Sequence, residues 1–251
     1  MKNIKGTFCL LAMSVAISCS KDDGGEPKVD LTKVSLSIFQ GPALPALPIN
    51  VTGSNDPYAT QAGQYFDFIN NTLAGHAENL KQVDEERSYL APLEPANGTA
   101  TTGSNYLLYF GKDTSFNNIA YQVRDGGSIF TFEYLVNYVG TPDWLRQFYG
   151  EEAEDQSSGK LTNTDISPEN RGIIETYEWT RNGDDLALNH DNHVNFQDSF
   201  QLEITINTST RAGSVSYFID YVRKQDIAWD ANGSGTWKTY ENGAISASGS
   251  W

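Results

Sequence analysis

The sequence predicts a mainly β (α+β) domain, an antiparallel meander of about nine strands forming a curved sheet packed on one N-terminal helix. Three observations predict it. From Tyr106 onward apolar residues recur with a period of two, as in half-buried strands. Tight-turn signals separate these runs: Asp125-Gly126-Gly127, Asn182-Gly183 and Asn242-Gly243. Asn-Gly and Asp-Gly accept the positive φ angles of short hairpins, and such connections join antiparallel strands. A single segment ahead of the strands has a helical period instead. A sheet of that size must cover its apolar face, and the helix has one apolar stripe to offer it. A β-barrel or β-sandwich is the alternative closure.

The elements follow in chain order. Residues 20–33 are polar, with Gly and Pro, and read as a flexible tether. Val34, Leu36 and Ile38 alternate with Ser35 and Ser37, which suggests a first strand. Pro42, Pro45, Pro48 and Pro57 exclude helix or central strand from most of the next stretch. Asp56 then suits a helix N-cap and Pro57 the first helical position. Ala62, Tyr65, Phe66, Ile69, Leu73, His76 and Leu80 continue at three- and four-residue spacing, so a helix is expected from 57 to 80. Pro92 to Asn105 reads as an exposed loop.

Strands are expected near 106–110, 118–124, 130–138, 173–180, 200–206, 215–221, 236–240 and 244–250. Two interruptions are expected. Thr141 to Gly150 reads as a short helix, with Thr141 as cap, Pro142 first and Gly150 as terminator. Glu151 to Arg171, acidic and without period, reads as a mobile loop. Residues 34–251 form one domain, with no composition break inside them.

Composition bounds the function. The 251 residues carry 17 Lys+Arg against 32 Asp+Glu, a formal net charge of −15. That balance excludes a nucleic-acid binder, which needs a basic surface, and an electrostatic grip on anionic lipid.

The first 19 residues point to a compartment. Lys2 and Lys5 precede an apolar run from Thr7 to Ile17, roughly half the length of a membrane-spanning helix. A basic start and a short apolar core read as a secretory signal peptide, residues 1–18. Ala16-Ile17-Ser18-Cys19 resembles a bacterial lipobox, and Ser20-Lys21-Asp22-Asp23-Gly24-Gly25-Glu26 resembles the acidic export signal of Bacteroidota surface lipoproteins. The resemblance implies acylation of Cys19 with chains such as palmitate, and a lipid-anchored place on the outer membrane, facing the cell exterior. It implies nothing about the folded domain. Processing before Cys19 would remove both Met and Cys9, leaving no second thiol for a disulfide or for catalysis.

The chemistry of the remaining chain is sparse. No nucleophile elbow, phosphate loop, dinucleotide turn or His-Glu-x-x-His helix occurs. His190, Asp191 and His193 form the densest cluster that could hold a transition metal. In a strand the two imidazoles would face opposite ways, so they converge only in a turn. Asp230, Asn232, Ser234, Thr236 and Glu241 follow the spacing of a calcium loop, with Gly235 at its sixth position. A plain hairpin turn is the competing reading, since Asp, Asn, Gly and Ser are ordinary turn residues. No cofactor is required, and calcium is the one candidate. His76 reads as a core-edge residue of the helix stripe, Trp179 as buried, and Trp144 as an exposed ring for stacking a sugar.

The expected function is a lipid-anchored surface protein that binds a glycan, a protein or a small ligand, or serves a surface assembly as an accessory subunit. An extracellular hydrolase acting on polymers and a structural envelope lipoprotein are the alternatives. If Cys19 is the acceptor, Cys19→Ala abolishes labelling by a fatty-acid analogue in the producing cell; labelling that persists removes the lipobox reading.

Overall fold

A computed structural model describes residues 29–87, 93, 105–169, 171–193 and 199–251. The chain is mainly β. Thirteen strands form one open sheet in sequence order, every neighbouring pair antiparallel. They are β1 (Val83–Arg87), β2 (Asn105–Lys112), β3 (Asn118–Asp125), β4 (Ile129–Asn137), β5 (Leu145–Ala153), β6 (Ser158–Asp165) and β7 (Gly172–Asn182). The meander continues through β8 (Asp185–Asn192), β9 (Phe200–Asn207), β10 (Gly213–Ile219), β11 (Val222–Trp229), β12 (Gly235–Glu241) and β13 (Ala244–Ser250). Two helices precede them, the four-residue α1 (Ile49–Thr52) and the long α2 (Pro57–Leu80).

Helix α2 starts as its sequence predicts. Asp56 Oδ1 accepts from Tyr58 N–H at 2.8 Å and Ala59 N–H at 3.4 Å, and Pro57 takes the first position. These bonds satisfy amide groups that no turn of helix can reach. Ala59, Ala62, Phe66, Ile69 and Leu73 are buried against the sheet. The helix lies across the strands rather than along them. Tyr58 stacks on Trp237 of β12 at 3.9 Å, and Phe66 meets Trp229 of β11 at 5.7 Å. Tyr65 lies on Tyr217 of β10, Phe68 against Phe200 of β9, and His76 against Phe148 of β5. A 24-residue helix is about 36 Å long. Eight neighbouring strands, β5 to β12, span about 34 Å, so one helix reaches across them.

The face turned to α2 is organised in rows set by strand register. One row runs Phe130, Glu152, Gly159, Trp179, Leu188, Ile204, Val215, Ile227, Trp237, Gly249. Glycine neighbours tryptophan here by necessity. A Cβ at Gly159 would overlap the Trp179 indole, and one at Gly249 would overlap Trp237. Trp229 is flanked by Gly213 and Gly235, and Trp251 closes over Gly235 in turn. The Gly-x-Trp echo at 235–237 and 249–251 is therefore a packing device. Each indole lies flat across the strand beside it because that strand has no side chain there.

Three expected elements differ. The first strand is absent. Leu36 and Ile38 are buried as alternation suggests, but Ser37–Phe39 is a 3₁₀ turn. Ser37 N–H bonds the Glu152 carboxylate at 2.9 Å instead of a neighbouring strand. The folded part also begins before residue 34, since Leu31 is buried in a 3₁₀ turn. The short helix at 141–150 is replaced by the start of β5. Leu145, Arg146, Phe148 and Tyr149 pair with β4, and Gly150 is needed because Leu36 rests on it, not as a terminator. The loop at 151–171 is largely ordered strand, the end of β5 and all of β6. Its alternation is concealed because the buried positions of β6 include Asn163 beside Leu161. With β1, β8 and β11 also paired, the count rises from about nine to thirteen.

Strands β3 and β4 are buried on both faces. On the face away from α2, Leu93 bonds the Gln122 side chain through its N–H at 3.2 Å and its C=O at 2.8 Å. The rest of the loop expected at 92–105 lies outside the described residues, apart from Asn105 in β2.

These contacts separate two kinds of glycine. Gly75 on α2 has open space where a Cβ would go, so Gly75→Ala should stabilise the chain by about 1 kcal/mol. Gly159→Ala must displace the Trp179 ring and should destabilise it by about 1–3 kcal/mol. Chemical denaturation of the two variants checks both signs.

Candidate functional site

Beneath α2, three strands bring polar side chains together in an otherwise apolar core. Strand register places Asn163 of β6, Glu175 of β7 and Asn192 of β8 side by side on the inner face. One row over stand Tyr177 and His190, directly paired, their rings 4.5 Å apart. From above, the C-terminal third of α2 contributes His76. Its Nε2 lies 2.9 Å from Glu175 Oε2. His190 Nε2 lies 3.9 Å from Glu175 Oε1, beyond hydrogen-bond reach. Asn163 Nδ2 donates to Glu175 Oε2 at 3.2 Å and Asn192 Nδ2 to Oε1 at 3.5 Å.

Phe68, Phe200 and Phe148 wall this cluster. Burial opposes ionisation of Glu175. The facing His190 and His76 rings and the Asn163 amide outweigh it and hold the carboxyl well below its ordinary value. Burial also pushes the Tyr177 phenol up, and the Glu175 charge adds to it. His190 is fully buried, and neither ring nitrogen has a hydrogen-bond partner among the described residues. The Tyr177 hydroxyl and Asn163 Oδ1 are likewise without partners. An unpaired buried polar atom costs about 1–3 kcal/mol, so four in one place mark this region of the core as unusual.

Two other buried carboxylates have clear structural tasks. Glu152 accepts from the N–H and hydroxyl of Ser37, and Arg181 Nη1 donates to the same hydroxyl at 2.9 Å. This ties the segment before α1 to the sheet. On the other face Glu133 accepts from Arg124 at 3.0 Å, Arg146 at 2.9 Å and Gln122 at 2.5 Å.

The outer face of β5–β8 holds a shallow depression of about 330 Å³. Glu151, Lys160 and Glu178 cross it in register, with Lys160 Nζ 2.6 Å from Glu178 Oε1. Ser158, Thr180 and Asn189 add hydroxyl and amide groups, and Ile129 gives an apolar edge.

The residues singled out in the sequence fall as follows. His190 points into the core, whereas Asp191 and His193 alternate to the other side at the end of β8, so the strand does not bring the two imidazoles together. Asp230 Oδ1 accepts from Asn232 N–H at 2.8 Å and Ser234 N–H at 3.0 Å, closing the β11–β12 turn on itself. Thr236 and Glu241 lie along β12, and Glu241, six residues past Gly235, is about 20 Å from the turn. Trp144 is half-buried, edge-on to Phe110 at 6.0 Å. Trp179 is buried. Cys19 lies outside the described residues. Glu175 and Asn163 were not visible as site residues, because nothing in an acidic chain distinguishes one Glu from another before its strand neighbours are known.

Among the described residues no set of three His, Cys, Asp or Glu side chains could hold a metal ion, and no helix is long and apolar enough to cross a membrane. Compared with protein-family models, curated proteins and solved structures, the chain matches none.

The Glu175 carboxyl gives a testable pH dependence. Its folded pKa lies below its unfolded one, so its contribution to stability is complete above the unfolded value and lost as pH falls through the folded one. Stability should decline on acidification below about pH 4.5, the ordinary carboxyl value. Glu175→Gln should lower stability at neutral pH by about 1–3 kcal/mol and flatten the acid limb. Melting curves from neutral to acid pH check this, and parallel profiles for the two proteins would contradict it.

Proposed function

We propose that the protein is a lipid-anchored surface binding protein that takes a polar ligand, a glycan above all, on the outer face of β5–β8. The observation that carries the proposal is the depression crossed by Glu151, Lys160 and Glu178. The other face of the sheet is occupied by α2 and the segment before it, with their side chains packed into the core. A ligand held inside the fold, as in a cup-shaped barrel, would compete with those side chains. The outer face offers hydroxyl, amide and charged groups beside the Ile129 side chain, the mixture that recognises a sugar with its polar rim and apolar ring face. The anchor rests on the Ala16-Ile17-Ser18-Cys19 lipobox and on the acidic stretch after it. A chain of net charge −15 would stand off an anionic leaflet, leaving membrane contact to the acyl chains.

A second reading, glycoside hydrolysis, has one observation in its favour. Glu151 and Glu178 stand on either side of Lys160 on neighbouring strands, two carboxylates facing one depression.

A glycan array probed with the full chain in detergent micelles tests the binding reading. Binding to at least one extracellular glycan is expected, weakened about tenfold or more, or about 1.4 kcal/mol, by Lys160→Ala or by Ala187→Trp, which fills the depression. A uniformly negative array removes it in favour of a structural role. Release of reducing ends from a bound glycan, lost in Glu178→Gln, would decide for hydrolysis.

A further inference from the structure

We propose, resting on the glycan reading above, that the outer face takes an extended, uncharged oligosaccharide laid across the strands from β5 to β10, and not a single sugar or an acidic glycan. The depression on β5–β8 continues sideways. A second one, of about 450 Å³, adjoins it on β7–β10, and Thr180 and Ala187 line both. Strand register joins them into one floor: Ser158 stands beside Thr180, Thr180 beside Ala187, and Ala187 beside Thr205. These positions point outward because their strand neighbours Trp179, Leu186, Leu188 and Ile204 are buried on the inner face.

Two walls flank this floor. In the next row Lys160, Glu178, Asn189 and Glu203 stand in register with longer side chains. On the other side rise the β7–β8 and β9–β10 hairpins, which are bonded to each other. Asn207 Nδ2 donates to Asp185 Oδ1 at 2.8 Å, and Thr208 N–H to the Asp184 carbonyl at 2.7 Å. A wall fixed before the ligand arrives spares the cost of ordering it on binding. Six strands set about 4.8 Å apart span about 24 Å, the length of about four or five linked pyranose rings.

Charge decides among the glycans. Glu151, Glu178 and Asp185 line the two depressions. Lys160 is the one cation among the described residues lining them, and Glu178 already engages it at 2.6 Å. A uronate or sulfate would therefore face carboxylates with its charge uncompensated. Neutral sugar hydroxyls instead donate to the carboxylates and accept from the Thr hydroxyls and the Asn189 amide.

The test is calorimetric titration of the full chain in detergent micelles. The probes are β-1,4-linked oligosaccharides of glucose, mannose and xylose, one to six rings long, whose linkage keeps them extended, and oligogalacturonates of the same lengths. At least one neutral series should bind, its affinity rising about tenfold or more from two rings to five and levelling beyond. Oligogalacturonates should bind about tenfold or more weakly than that series at equal length. Thr205→Trp fills the second depression and leaves the first open, so it should remove the gain with length while leaving two-ring binding unchanged. Equal affinity at two and five rings, a Thr205→Trp variant that keeps the gain, oligogalacturonates that bind as tightly, or no binding of any neutral series would overturn the extended site. With a positive glycan array, any of these leaves the surface-binding reading standing, whereas a uniformly negative array removes both.

Discussion

The inner face of this sheet carries most of the buried apolar side chains among the described residues, and the structure depends on α2 and the segment before it to cover it. One helix suffices because it crosses the strands. Laid along them it would cover two or three; laid across, it reaches from β12 to β5. That orientation requires nearly level ground, since a helix cannot follow a corrugated surface. The Trp–Gly pairs help provide it. Each indole lies flat over a glycine, giving broad aromatic surface on which Tyr58 stacks and which Phe66 meets edge-on.

Burial of so much backbone and side chain leaves few places for charge, and the carboxylates that are buried each have a position in the architecture. Glu152 fixes the entry of the N-terminal segment through Ser37, and Glu133 gathers Gln122, Arg124 and Arg146 on the opposite face. Glu175 does the corresponding task beneath α2, where it meets His76. Beside it both His190 ring nitrogens, the Tyr177 hydroxyl and Asn163 Oδ1 have no hydrogen-bond partner among the described residues.

The two faces thus divide the work. The inner face is committed to packing and to the polar cluster. The outer face of β5–β8 carries the exposed cross-strand charges and the depression beside them.

Period and turn chemistry in the sequence determined the mainly β class, the N-capped helix from Pro57 to Leu80 and the hairpins at Asp125-Gly126-Gly127, Asn182-Gly183 and Asn242-Gly243. These are local features: a cap, a stripe and a positive-φ turn act over a few residues. Tertiary structure decided the rest. Strand β6 was illegible because Gly159 and Asn163 occupy its inward positions, and their places make sense only beside Trp179 and Glu175. The turn at Ser37 and the strand at Leu145 were decided by Glu152 and by the pairing with β4, both distant in sequence. For the same reason the sequence sets His190 beside Asp191 and His193, whereas the fold sets it beside other side chains. Its neighbours along the chain alternate to the other side of the sheet, whereas Glu175 and His76 reach it only across strands and from the helix above.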